Sequence, residues 1–525
     1  MALTLDDTLS TGRSRRTIAK LFRLALRSGR QRPLKRPAFA AGVPKAAPLP
    51  RSMGARAVAS LAAFSAAWMV LMATRYFSLS AGAIDTGIGI GSAAGSWLST
   101  AYLACEPVGV AVGCWLALGF SLRRVLLASI IVFIGACGLL ALVPVFPVSL
   151  AARALMGLAA GAIIPLSILT QLRAFNLAWR PLAIGLYASA STMAPQIASS
   201  VDAWAVGHDG WTAVFWATLV PGSIALLAGF RSLPHEPIRW RPLLQADIAG
   251  LVTLSAGLAF AAIGVSQGSR LHWLASPLIL SMFALGGVCL ALFVLHERKD
   301  IRHPVLSLGL TRRRNLLLGL VGTLPLQISA GISGVLVPAY LIAARHFGPE
   351  QIAPVLNQAF WPQCITYPLC ILALRWRVLD ARIALCIGLA CIALACAFDL
   401  PAMHQWTAEN FRLGQIIQGI GLPFILLPLL VLFVGDVTPK EGVYAASIFN
   451  ISRSLAGTIS IAGITTMTQH QPGPRGTADA LFADALVIAC CLLFAGCGLA
   501  LAMAEFGSGH PDFRARIKPR LHHAR

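Results

Sequence analysis

Fourteen apolar runs, separated by connections alternately rich and poor in arginine, constrain this chain more than any motif does. Crossing roughly 30 Å of hydrocarbon at 1.5 Å per residue takes about 20 apolar residues, in a helix that satisfies every backbone polar group internally. Such runs centre within 57–79, 97–118, 124–145, 147–170, 183–206, 211–230, 247–266, 273–296, 315–344, 352–374, 383–401, 413–434, 442–467 and 480–503. The third and fourth lie close together across Pro144, Val145, Phe146 and Pro147, and twelve crossings would require merging runs too long to cross once. Only 12% of residues are charged and mean hydropathy is +0.74. Soluble domains carry about 25% charged residues, so a soluble core is set aside.

Between the first and last runs, the connections after even-numbered runs hold seventeen Lys and Arg, among them Arg123, Arg124, Arg173, Arg180, Arg312, Arg313, Arg314 and Lys440. Connections after odd-numbered runs hold only Arg270, Arg345, Arg412 and Arg475, and both termini are basic. By the positive-inside rule both ends are cytoplasmic and the number of crossings is even. The formal charge of +22 is then mostly a topology signal. Because the basic residues are spread among loops rather than gathered in a folded module, no nucleic-acid partner is expected. All twelve cysteines, from Cys105 to Cys497, fall inside apolar runs and lack zinc-site spacing with histidines. They read as small packing residues, with no metal or cofactor implied.

Residues 1–54 are different material, with twelve Lys or Arg against Asp6 and Asp7, and are expected to be mostly disordered. Within them Ile18, Leu21, Phe22, Ala25 and Leu26 follow a helical apolar stripe flanked by Arg15, Arg16, Lys20, Arg23 and Arg27. A helix lying on an anionic inner leaflet, a solvated tail, and translation starting at Met53 are three open readings. No apolar h-region of a signal peptide is present.

An internal repeat emerges from two glycines. The fourth run reads Arg153-Ala-Leu-Met-Gly157-Leu-Ala-Ala-Gly161-Ala-Ile-Ile-Pro165, and the twelfth reads Gln415-Ile-Ile-Gln418-Gly419-Ile-Gly421-Leu-Pro423. Aligning Gly157 with Gly419 gives an offset of eight runs, as two six-span bundles separated by a two-span insert would produce. The expected fold is an all-α polytopic membrane protein. Its parts are a tail (1–54), an N-terminal bundle (55–231), a linker and two-span insert (232–300), a C-terminal bundle (301–505) and a basic cytoplasmic tail (506–525). Transporters commonly place their substrate path between such repeats, near the bilayer midplane.

At this level the chain, over roughly residues 57–505, resembles the fourteen-span drug:proton antiporters of the major facilitator superfamily, the EmrB/QacA kind. The most specific segment is Asn450-Ile-Ser-Arg453-Ser-Leu-Ala-Gly457-Thr in the thirteenth run, similar to the family's Asn-x-x-Arg-x-Leu-Ala-Gly. Trp97-Leu-Ser-Thr-Ala-Tyr102 is similar to its Trp-x-x-x-x-Tyr, and Arg153–Gly157 to its Arg-x-x-Gln-Gly, with Met156 in place of Gln. Departures are equally specific. Ala73, Thr74 and Arg75 stand where the family carries an Asp in its first span. The second connection keeps Gly113 and the basic end Arg123-Arg124 without the usual Asp, and Ala194-Pro195-Gln-Ile-Ala198-Ser199 replaces the antiporter motif Gly-Pro-x-x-Gly-Gly.

A carboxylate at the bilayer centre is costly and usually faces a cavity or partner. Of the twenty Asp and Glu, only Glu106 reads as deep within a run, while Asp202, Asp399 and Asp484 read as lying toward span ends and touching water. Glu106 is the proton-coupling candidate, and Arg153, by resemblance, assists it or holds the spans in register. Arg75 lies about 6 Å and Glu106 about 15 Å below the outer boundary, so pairing between them is the competing structural role. Arg453 with Asn450 is assigned, by resemblance, to an inner gate, with capping of backbone carbonyls as the alternative. Trp68, Tyr102, Gln327, Asn357, Phe360 and Trp361 are candidates for an amphipathic substrate path, with packing or interfacial anchoring as the alternative.

The expected function is proton-driven export of small hydrophobic or amphipathic compounds across a bacterial inner membrane, by rocking of two bundles. No Gly-x-x-x-x-Gly-Lys-[Ser/Thr] loop supports a nucleotide-driven pump, and no nucleophile and base at useful spacing supports an enzyme. Facilitated transport of one metabolite, favoured by the missing antiporter motif, and a non-transporting scaffold or sensor are the alternatives. Relatives of this kind can work with a periplasmic adaptor, a partner implied by resemblance alone.

Overall fold

The computed structural model describes residues 52–175, 179–208, 210–238, 240, 247–297, 305–402, 408–435, 437, 441–469 and 475–503. Among the described residues all regular structure is helical. In chain order the helices are α1 (Met53–Leu79), α2 (Ala81–Ile88), α3 (Ser92–Phe120), α4 (Leu122–Leu142), α5 (Phe146–Ala174), α6 (Arg180–His208), α7 (Ala213–Ala217), α8 (Leu219–Ser232), α9 (Ile248–Gly268) and α10 (Pro277–Glu297). There follow α11 (Arg314–Val321), α12 (Thr323–Gly331), α13 (Val337–Arg345), α14 (Pro349–Leu356), α15 (Phe360–Arg375), α16 (Ala381–Ala402), α17 (Arg412–Gly421), α18 (Pro423–Gly435), α19 (Gly442–Gln469) and α20 (Arg475–Ala502). Both basic tails, with the proposed stripe at Ile18–Leu26, lie outside the described residues.

Local chemistry sets the boundaries. The Asp247 carboxylate caps α9 by accepting from the Gly250 amide at 2.7 Å. Gly89 ends α2 in the left-handed conformation at φ 76°, a region where a glycine carries no Cβ penalty. Extended backbone at Val145 separates the third and fourth runs, and Pro147 sits in the first turn of α5, where a missing amide costs nothing. The short helix α2 is not visible as an apolar run, and α3 starts at Ser92, ahead of the expected 97.

Among the described residues, eleven helical segments are long and apolar enough to cross a membrane, some of them joining two or more of these helices. The three predicted runs that fall short are helical too, but α6, α19 and the rod made by α14 and α15 are more polar or broken. These are helices that turn Ser, Thr, Gln, Asp and Arg toward neighbours rather than toward lipid, so hydropathy underrates them. In contrast, α10 keeps few buried residues and exposes Leu280, Leu285, Val288, Leu292 and Leu295, the pattern of a lipid-facing rod.

Small residues let the rods approach. A Cβ on Gly157 would strike the Tyr102 carbonyl of α3, and one on Gly419 would strike the Ala359 carbonyl just before α15. The two glycines aligned by sequence therefore make equivalent backbone contacts. α9 packs on α10 and also touches both α3 and α19. At its C-terminal end Gln267 donates to Thr100 at 2.6 Å, and Ser266 lies 2.9 Å from the same hydroxyl.

Arginines of the connections fasten helix ends. Arg123 donates to the Leu233 and Phe230 carbonyls at 2.6 and 2.9 Å, and Arg313 makes a bidentate pair with Glu441 at 3.1 and 2.6 Å. Arg173 lies 3.6 Å from Glu236.

Candidate transport site

The intramembrane charges sit at different depths with different partners. Glu106 is at the middle of α3, close to Pro107, and is half-buried. The charge it faces is Arg453 of α19, with the Ser454 hydroxyl beside it. Its backbone carbonyl is pressed against Gly161 of α5. A carboxyl group facing a cation and a hydroxyl across two helices can accept from both when ionised and donate when protonated. That exchange of roles is the chemical requirement for coupling a proton to helix movement.

Arg75 does not reach Glu106. It is 7% exposed, and its Nε donates to Ser199 of α6 at 3.4 Å while its Nη1 donates to the Gly334 carbonyl. Gly334 lies in a π-helical turn, Ile332–Leu336, joining α12 to α13, a geometry that frees carbonyls from the ordinary ladder. The carboxylate whose field acts on Arg75 is Asp202, which accepts from Ser80 at 2.5 Å. The alternative Arg75–Glu106 pairing does not form: Asp202 is the carboxylate that acts on Arg75, and Arg453 the cation that acts on Glu106. Residue counting gives depth along a helix but not the direction a side chain takes around it.

The same limit applies to the other acids. Asp202 and Asp399, expected to touch water, are each 1% exposed. Asp399 of α16 occupies the space left by Gly414 of α17, and its Oδ1 is buried without a hydrogen-bond partner. The Asp484 side chain lies outside the described ones.

Arg153 is held by aromatic faces. Its guanidinium lies 3.7 Å from the Phe77 ring centroid and 4.6 Å from that of Tyr102, its Nε donates to the Leu98 carbonyl at 3.3 Å, and Nη1 approaches the Met156 sulfur at 3.9 Å. Tyr102 in turn lies 3.0 Å from Thr74, one residue before Arg75. Asn450 donates to the Ala446 carbonyl at 2.8 Å, and its Oδ1 is buried and unpartnered.

Of the path candidates, Tyr102 is buried in this cluster, and Gln327 of α12 is half-buried with its amide against Gly457 of α19. Trp68 is half-buried and packs on Phe64 at 5.2 Å. Asn357 is half-buried with its Oδ1 unpartnered, and Phe360 is half-buried. Trp361 departs from the expectation: it is 61% exposed and meets Phe360 edge-on at 5.4 Å. Consecutive residues on a helix point about 100° apart, so Phe360 and Trp361 do not face the same interior.

Sequence reading missed a polar contact of equal depth. Thr192 of α6 donates to Gln363 of α15 at 2.6 Å and lies 2.7 Å from the Tyr367 hydroxyl, which donates to the Ala188 carbonyl at 2.8 Å. The helices are also closely packed toward both ends. Ile168, Ala183, Ile184, Phe433 and Phe449 help enclose a void of about 30 Å³ toward one end, and Asp202, Ile342, Ile352 and Leu356 one of about 20 Å³ toward the other. Among the described residues, no group of three His, Cys, Asp or Glu is gathered to hold a metal.

Long apolar rods with charged groups turned inward mark a polytopic membrane protein. The sequence model of the Major Facilitator Superfamily matches residues 59–461. This chain belongs to that superfamily. It is 23% identical over 417 residues to the fatty acid resistance protein FarB of Neisseria gonorrhoeae, covering 77% of this chain and 79% of FarB. It is 23% identical over 441 residues to the multidrug export protein EmrB of Haemophilus influenzae, covering 81% and 82%. Among solved structures, the human organic anion transporter MFSD10 matches at a TM-score of 0.58 and 15% identity, covering 85% of this chain and 99% of that one. The proton:xylose symporter XylE matches at 0.54 and 15%, covering 84% and 96%. The EmrB resemblance read from the motifs therefore holds over most of the chain, and the structural likeness establishes the fold.

Proposed function

We propose that this protein exports small hydrophobic or amphipathic compounds in exchange for protons, by alternating access between two six-span bundles with α9 and α10 as a two-span insert. The carrying observation is that Glu106 faces Arg453 and Ser454 from another helix at mid-depth. Protonating Glu106 removes its attraction for Arg453 and weakens the tie between α3 and α19, and deprotonation restores it. Arg153 holds Tyr102 in position on the same helix, one turn from Glu106. Arg75, clasping the Gly334 carbonyl from α1, forms an outer gate, and Asn450 with Arg453 contributes to the inner one.

Relatives named for fatty acid resistance and multidrug export support an amphipathic cargo. Tyr102, Gln327, Asn357, Phe360 and Trp68 are the residues we assign to its path. Fourteen crossings, cytoplasmic termini and a bacterial inner-membrane location complete the reading, supported by the arginine alternation and the EmrB relatives. A periplasmic adaptor is the partner this reading allows.

In liposomes, the purified protein is expected to move ethidium against its gradient only under an imposed pH gradient, with Glu106→Gln lowering pH-driven flux at least tenfold. Equilibration indifferent to the pH gradient would favour facilitated transport, a second reading that the altered Ala194–Ser199 segment supports. No flux with any of a broad panel of compounds would favour a scaffold.

A further inference from the structure

The Gly157 and Gly419 contacts set a register that extends to the residues around them. Gly157 meets the Tyr102 carbonyl and Gly419 the Ala359 carbonyl. One helical turn beyond each of those carbonyls, on the same face, stand Glu106 and Gln363. The facing helices keep the same register, because Ser454 lies twelve residues beyond the first residue of α19 and Thr192 twelve beyond the first residue of α6. α3 packs on α19, and α15 packs on α6. Two contacts thus join the helices before residue 235 to those after residue 305, related by the internal repeat and opposite in chemistry.

At one contact a carboxylate faces Arg453 and Ser454. At the other, Gln363 stands at the Glu106 position, Thr192 at the Ser454 position and Ser191 at the Arg453 position. Both polar atoms of the amide are engaged there: its oxygen accepts from Thr192 at 2.6 Å and its nitrogen donates to the Ala359 carbonyl at 2.7 Å. Gln363 is completely buried, and its hydrogen-bond partners are neutral. An amide neither gains nor loses a proton, and a buried neutral network whose members are paired holds one geometry.

We propose that Thr192, Gln363 and Tyr367 are positioning residues that form the non-titrating counterpart of the Glu106 contact. They keep α6 and α15 hydrogen-bonded while proton exchange is confined to α3 and α19. This rests on the proton role proposed for Glu106. The charged and titratable groups around Glu106 are Arg453 of α19 and Tyr102 of its own helix, with Arg153 of α5 reaching the same Tyr102 ring. No equivalent of Arg453 stands at the second contact, so a carboxylate introduced there has no cation to balance it.

The test uses melting temperature in detergent from pH 5 to 9 and ethidium flux in liposomes. Thr192→Val and Gln363→Leu are expected to lower melting by about 2–4 °C for each lost hydrogen bond at every pH, leaving the shape of the pH profile unchanged. Thr192→Ser, which keeps the hydroxyl, is expected to restore the wild-type value. Gln363→Glu is expected to match wild type when protonated and to lose flux roughly tenfold per pH unit above its pKa, adding an alkaline limb absent from wild type. Gln363→Leu reshaping the pH profile, or Gln363→Glu adding no pH dependence, would overturn the assignment. An unchanged profile in Glu106→Gln, with the Gln363 and Thr192 variants behaving as expected, overturns the proton role of Glu106 and leaves the neutral contact standing.

Discussion

Arg153 lies within the membrane because aromatic faces replace the water it gives up. A guanidinium is planar and weakly hydrated, so it stacks between Phe77 and Tyr102 where an ammonium would not. Arg153→Lys keeps the charge and loses the stacking. It is expected to destabilise the protein by about 1–2 kcal/mol, read as lower melting in detergent, and retention of wild-type melting would show that charge alone matters. At this scale the sequence singled out Glu106, Arg75, Arg153 and Arg453 as charges needing an explanation. The alternative pairing of Arg75 with Glu106 does not form, because which residues meet depends on helix rotation. Asp202 was legible as a carboxylate near a span end, but its partner Ser80 lies in the break between α1 and α2, where no periodicity carries information.

At the scale of elements, glycine spacing decides how closely rods pack. Gly157 and Gly419 have backbone carbonyls where a Cβ would sit, whereas Gly135 and Gly138 on α4 have nothing within 4 Å. Gly157→Val and Gly419→Val are each expected to cost about 1–3 kcal/mol or more through forced separation of helices, with parallel loss of transport. Gly138→Ala is expected to be neutral or to stabilise by about 0.5–1 kcal/mol, since it adds helix propensity without a clash. Equal losses at all three positions, measured by thermal melting, would refute the close-approach argument. Gly157 and Gly419 were legible as a pair because each meets a facing backbone carbonyl. The Thr192–Gln363–Tyr367 contact was not, because which hydroxyl meets a given amide depends on helix rotation, which the sequence alone does not fix.

For the whole molecule, topology is the testable quantity. Reporter fusions after residue 235 and within the 375–382 connection are expected to fluoresce as cytoplasmic GFP. Fusions after residues 90, 272 and 347 are expected to activate alkaline phosphatase outside. Phosphatase activity at residue 235 would overturn the arginine-based orientation. The α9–α10 insert is expected to couple to both groups of helices, because α9 touches α3 and α19 together and Gln267 donates to Thr100. Gln267→Leu should therefore lower melting by about 1 kcal/mol equivalent, the net value of one buried hydrogen bond.

By itself the sequence determined that the chain enters a membrane, roughly where each helix runs, and that two glycine-marked segments repeat. Those properties follow from hydropathy and from residue types that pack in only one way. Tertiary structure decided the neighbours: Arg75 donates to Gly334 within the field of Asp202, Glu106 faces Arg453, and Gln363 accepts from Thr192. The reason is geometric, since a helix fixes the depth of every side chain through its rise per residue. Its rotation, and so the neighbour each side chain meets, is set only when all the rods pack together.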